Sequence, residues 1–165
     1  MMAILQDMKT HENLHIIIIK GTIFDALKLW IVNKKWEEKV NCVKELSKAL
    51  NNMPLNLSDA LLYLMDTYSI SINELSKYSG VSVTTIKHIR GHVKTDCSLN
   101  TAVRLCVGMK LNPVISYEFI RRTSHRFTYS EEHIHYEMLL NNCEKMRDSE
   151  IQEYLRCIEQ KIKFL

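Results

Sequence analysis

The sequence predicts a mainly all-α fold: a five-helix domain with a C-terminal helical extension and a small N-terminal segment. Three observations predict it. Glycine and proline are scarce, 4 and 2 in 165 residues, where typical usage gives roughly 11 and 8. Most apolar stretches repeat at spacings of three and four, the helical period. A series of Ser and Asn residues stands just ahead of those stretches, where helix N-caps belong. So few turn-formers exclude a large β-sandwich and a Gly-rich nucleotide-binding α/β fold. A content of 46% apolar and 25% charged residues excludes wholesale disorder.

Taken in order, residues 1–54 form the N-terminal segment. Leu14-His-Ile-Ile-Ile-Ile-Lys20 is a β-branched run closed by Gly21, which suits a buried strand. Ala3–Met8 can pair with it as a short hairpin. A short helix follows over 24–32, and a longer one from about Lys35 to Leu50 with Trp36, Val40, Val43, Leu46 and Leu50 on one face. Asn51-Asn52-Met53-Pro54 ends it, because Pro54 cannot continue a helix.

Residues 55–123 read as five short helices. Ser58 precedes the first, with Ala60, Leu61, Leu64 and Met65 facing inward. Ser71-Ile-Asn-Glu74 has the form of a capping box and opens a second helix that ends at Gly80. Ser82 caps a third, closed by Gly91, and Ser98 a fourth. Asn112-Pro113, a cap followed by Pro at the first helical position, begins a fifth through about Arg122. In the extension, residues 124–165, Ser130 caps a helix from Glu131 to Met146 and a last helix follows Asp148-Ser149.

Charge is unevenly spread. Between Leu75 and Arg126 nine Lys or Arg face two acids, Asp96 and Glu118, so this stretch carries +7 and the remainder −4. From Ser76 to Thr95 there is no acid at all. A basic block in an otherwise acidic chain is the footprint of a surface for a polyanion. No apolar run approaches the ~18–20 residues needed to span a bilayer. Five cysteines without C-x-x-C spacing imply reduced thiols, and with them a cytoplasmic location.

Residues 71–91, SINELSKYSGVSVTTIKHIRG, place two short helices around Tyr78-Ser-Gly-Val-Ser82. Leu75 and Val81 would join them, and Ile86 and Ile89 would seat the second on the core. That is the helix-turn-helix arrangement, in which the second helix enters the major groove. Together with SLNTAVRLCVGMKLNP downstream, this string resembles the phage-repressor and Cro-like (XRE) helix-turn-helix family over about residues 58–122. The resemblance implies a lambda-repressor-like five-helix domain and a sequence-specific, repressor-like regulator that binds double-stranded DNA. It assigns base reading to Val83, Thr84, Lys87 and His88, and phosphate contacts to Lys77, Ser82, Arg90, His92 and Lys94. The chain departs from the family pattern at Ile72, Ser76, Val83 and Arg90. The usual residues there are Gln, Ala, a long polar residue and Glu, so base readout is expected to be lean. The rival reading is a domain repurposed to bind a protein, such as a phage or mobile-element inhibitor of a host nuclease.

Catalytic alternatives are thin. His11-Glu12-Asn13-Leu14-His15 matches H-E-x-x-H, the helical zinc-hydrolase motif, but the isoleucine run behind it favours a strand, which would separate the two histidines. His133 and His135 point about 200° apart on a helix, which suits a solvated face rather than a metal. No metal or other cofactor and no catalytic residue is expected.

A single helix-turn-helix makes few base contacts, so a homodimer is expected, with one copy on each half-site. The stripes Ile134, Met138, Leu139 and Ile151, Leu155, Ile158, Ile162 are the expected interface. On that view, truncation near Thr123 leaves a monomer that still folds.

Overall fold

Six successive helices begin where a short polar side chain takes up an orphan backbone N–H. The computed structural model describes residues 36–162. Their helices are α1 (Trp36–Asn52), α2 (Leu57–Thr67), α3 (Ile72–Ser79), α4 (Val83–Arg90), α5 (Leu99–Gly108), α6 (Pro113–Ile120), α7 (Glu131–Asn142) and α8 (Asp148–Ile162), with a 3-10 turn at Cys143–Lys145. No strand occurs among the described residues. The caps are Asn56, Ser71, Ser82, Ser98, Asn112 and Ser130, for α2 to α7. Ser71 and Glu74 complete the capping box: Ser71 Oγ accepts from the Glu74 N–H at 3.2 Å and Glu74 Oε2 from the Ser71 N–H at 2.9 Å. Asn56, not Ser58, caps α2, its Oδ1 accepting from the Asp59 N–H at 2.8 Å. Ser58 is buried one residue inside the helix. The strand and hairpin expected in the first 21 residues and the helix over 24–32 lie outside the described residues.

The chain divides into two units after Ala49, within α1. In the second unit, α2 packs on α4 and α6, α3 on α4, α5 and α8, and α5 on α6 and α7. Helix α6 lies at the centre: all eight of its residues, PVISYEFI, are buried. A helix that is apolar on every side needs neighbours on every side. Helices α2 and α5 cover part of α6, and α7 covers more of it.

The extension is therefore built into this core. Tyr136, Leu139, Leu140 and Cys143 from α7 and the 3-10 turn, and Ile151, Leu155 and Ile158 from α8, are all within 3% of full burial. Four residues expected to join two copies (Leu139, Ile151, Leu155, Ile158) thus lie in this chain's own core, because α5, α6 and α3 offer apolar surface for them. Ile134 and Met138 stay 45% and 52% exposed, and the side chain of Ile162 lies outside the described residues.

Half of α7 is also turned from its expected orientation. His133 and His135 are half-buried, each against a different neighbour, while Ile134 and Met138 are exposed, so no solvated histidine face stands opposite a buried Ile134 and Met138. Phe127 is the neighbour of His133. Its ring packs edge-on against Tyr117 of α6 (centroids 5.6 Å apart) and against His133 (6.0 Å), and His133 stacks on Tyr136. His133 Nδ1 accepts the Thr128 N–H at 2.9 Å, and His135 Nδ1 lies 2.8 Å from the Tyr154 hydroxyl. Both rings therefore tie the segment 124–130 and α8 to α7.

Candidate nucleic-acid interface

Helices α3 and α4 are joined by Gly80-Val81-Ser82. Gly80 sits at φ 70°, the left-handed region that glycine enters without strain. Ahead of it the buried Ser79 donates its hydroxyl to the Leu75 carbonyl at 2.5 Å and accepts the Val81 N–H at 3.1 Å. The chain is thereby turned so that Ser82, accepting from the Thr85 N–H at 3.1 Å, starts α4. Leu75, Ile86 and Ile89 are fully buried and Val81 nearly so.

With Ile86 and Ile89 inward, the 100° step of an α-helix puts Val83, Thr84, Lys87 and His88 on the opposite side within a stripe about 140° wide. Thr84, Lys87 and His88 are exposed and Val83 half-exposed. Eight residues make a rod about 12 Å long, comparable with the ~12 Å width of a DNA major groove. After α4 the Lys87 carbonyl accepts the Gly91 N–H at 2.9 Å, and the His88 carbonyl accepts those of Val93 and Lys94, both at 3.0 Å. The loop thus folds back over the end of the helix.

Eight of the nine cations of the basic block sort into two groups, and the ninth, the exposed Arg121, lies 3.9 Å from Glu118 Oε2. Arg104 is internal: its guanidinium meets Glu159 Oε1 at 2.5 Å, Asn100 Oδ1 at 2.9 Å and the Ser79 carbonyl at 3.4 Å. Arg122 meets Glu118 at 2.5 Å and the Pro54 carbonyl at 2.8 Å, and Lys110 pairs with Asp148 at 2.8 Å. These tie helices together. Among the described residues no acid pairs with Lys87, Arg90, Lys94 or Arg126. Lys77 lies over the Tyr78 ring at 5.4 Å. Of the Lys and Arg singled out from the sequence, Lys77, Lys87 and Lys94 are exposed and Arg90 is half-exposed. His92 differs: at φ 58° it turns toward α2, its Nε2 3.2 Å from Asp59. Ser82 uses its hydroxyl oxygen as the helix cap.

Asp96, one of the two acids in the basic stretch, has an internal use that sequence reasoning passed over. Its carboxylate accepts the Cys97 N–H at 2.8 Å, the Ser124 N–H at 3.2 Å and the Ser124 hydroxyl. Partial burial works against ionisation here. The hydrogen bonds from Ser124 and Cys97 outweigh it, and the carboxyl is held below its ordinary range. An acid set among cations was the available signal, since such a group needs donors of its own.

His133 and His135 are the candidate metal ligands that fall among the described residues. No group of three or more His, Cys, Asp or Glu there could hold a metal ion, and the His11–His15 motif lies outside them. Cys106 and Cys143 fill the core, and burial pushes the half-buried Cys97 thiol up to about 12, far from nucleophilic. No helix among the described residues is long and apolar enough to cross a membrane. Comparison of the chain with protein-family models, with curated proteins and with solved structures gives no match.

Proposed function

We propose that this protein is a sequence-specific regulator that binds double-stranded DNA, with α3–Gly80–α4 acting as a helix-turn-helix in a lambda-repressor-like domain. The observation that carries the reading is the exposed stripe of α4. It is acid-free, bears Thr84, Lys87 and His88, and is bordered by Arg90 and Lys94, with which no described acid pairs. A protein interior gains nothing from such an arrangement, whereas a phosphate backbone attracts it. Thr84 supplies a hydroxyl and a methyl for a base edge, Val83 an apolar contact to a thymine methyl, and Lys87 and His88 donors for guanine or phosphate. Lys77, Arg90 and Lys94 neutralise phosphates on either side. His92 joins them only by releasing Asp59.

The test is a salt titration of binding to duplex DNA, including the promoter of the protein's own gene. Affinity should fall linearly on logarithmic axes as counterions are released. Lys87→Ala should lower the slope by about 1. Thr84→Ala should cost ~1–3 kcal/mol of discrimination at one base position. Failure to bind any duplex at low ionic strength would overturn the reading. Capture of a host protein that survives nuclease treatment would then favour the rival, an inhibitor that reuses the domain.

A further inference from the structure

We propose that Arg126 joins Lys94 in a second phosphate-binding edge, which grips the DNA backbone beside the groove that α4 enters. The inference rests on the reading of α4 above, and extends it to a segment well beyond α4 in the chain.

Lys94 and Arg126 are distant in sequence but share one flank. The bonds from the Val93 and Lys94 N–H groups to the His88 carbonyl lay the loop over the end of α4. Two residues on, Asp96 holds Ser124 through both its backbone N–H and its hydroxyl. That bridge brings Ser124-His125-Arg126 alongside the loop. The turn is fixed from its other side as well. The buried Thr123 hydroxyl donates to the Ile120 carbonyl at 2.7 Å and accepts the His125 N–H at 3.2 Å. Phe127 is anchored on Tyr117.

Lys94 on the loop after α4, and His125 and Arg126 on this turn, are exposed. Arg126 is preoriented: its Nη1 donates to the carbonyls of Thr123 and His125 at 3.2 and 2.8 Å. Its Nε and Nη2 have no partner among the described residues. A guanidinium held by two carbonyls loses less side-chain freedom on meeting a phosphate than a free one does. The neighbouring acid, Asp96, accepts from Ser124 and Cys97 and faces the His125 imidazole, which leaves Lys94 and Arg126 as the cations for phosphate. Oxygen-rich anions arranged along a backbone fit this edge, and the duplex already facing α4 supplies them.

The experiment compares the full-length protein with Lys94→Gln, Arg126→Gln and Arg126→Lys on one duplex, reading the salt slope and the phosphates whose ethylation blocks binding. Each Gln variant should lower the slope by about 1 and the pair by about 2. Base preference should stay unchanged, and ethylation interference should vanish at one edge of the footprint. Arg126→Lys should keep the slope. The edge is overturned if Arg126→Gln, folded as judged by its thermal transition, leaves slope and footprint intact while Lys87→Ala still lowers the slope. Should Arg126→Gln fail to fold, the wild-type footprint decides: interference confined to the phosphates around α4 overturns the edge. If the wild-type protein binds no duplex, both this edge and the reading of α4 fall.

Discussion

Ser79 and Gly108 meet backbone against side chain: a β-carbon placed on Gly108 would lie 2.7 Å from Ser79 Cβ and 2.8 Å from the Ser79 nitrogen. Helices α3 and α5 therefore cross at the closest approach that the absence of a side chain permits. The atoms in the way belong to the turn that precedes Gly80, so no flexible tip can yield.

Gly108→Ala should accordingly destabilise the protein. Alanine is the better helix former by roughly 0.8–1.0 kcal/mol, but overpacking of a tight crossing typically costs ~1–3 kcal/mol. Urea unfolding should give a net loss, and a neutral or stabilising result would mean that α3 and α5 stand further apart.

Gly80 makes a different demand, because its φ of 70° is the obstacle. Gly80→Ala should cost about 1 kcal/mol. Gly80→Asn should cost less, since Asn tolerates the left-handed region, and Gly80→Val should cost the most. Equal losses for all three in a denaturant series would point to the nearby Arg104 guanidinium, 3.1 Å from the added carbon, rather than to the backbone.

Removal of residues 124–165 should not leave a folded monomer, contrary to the expectation from sequence. It would strip Tyr136, Leu139, Leu140, Ile151, Leu155 and Ile158 from the core and bare one side of α6. Losing even one or two such side chains costs several kcal/mol, comparable with the 5–15 kcal/mol of a typical domain. The truncated chain should show no cooperative thermal transition by circular dichroism. A sharp transition would restore the extension to the status of a separable arm.

Asp96 should shape the acid limb of stability. Its folded-state pKa lies below the ordinary 3.8, so its contribution is present above that value and is lost as pH falls through the folded one. Asp96→Asn should be less stable than the wild type at pH 6, with the difference narrowing below about pH 4. A constant difference down to pH 2 would show that the hydrogen bonds do not depend on the charge.

The helix starts were legible because capping is local: Ser71 with Glu74, Ser82, Ser98, Asn112-Pro113 and Ser130 each announce a helix within three residues of themselves. The α2 start was misplaced because Asn56 and Ser58 are both competent caps, and only burial of Ser58 decides between them. The stripe of α4 was legible for the same local reason, since Ile86 and Ile89 orient it. The contacts of α7 and α8 were not. Periodicity shows that Leu139 and Leu155 must be covered, but a stripe looks the same whether its cover is α5, α3 or a second copy. The Asp96–Ser124 bridge and the Gln152 amide donating to the Tyr78 carbonyl span 28 and 74 residues, beyond the reach of any pattern in the chain.

Gln152 reaches back to Tyr78 across 74 residues, so this brace can form only after α8 has been made. Gln152 and Glu159 close on Tyr78 and Arg104, at the back of the turn between α3 and α4. Domains generally fold as units while the chain is made, yet this unit draws part of its wall from α8. A nascent chain that has reached only α6 has α4 written but the turn ahead of it not yet braced, with the apolar sides of α5 and α6 open to water. The wall of this unit is complete only once α8 has emerged and docked on α3.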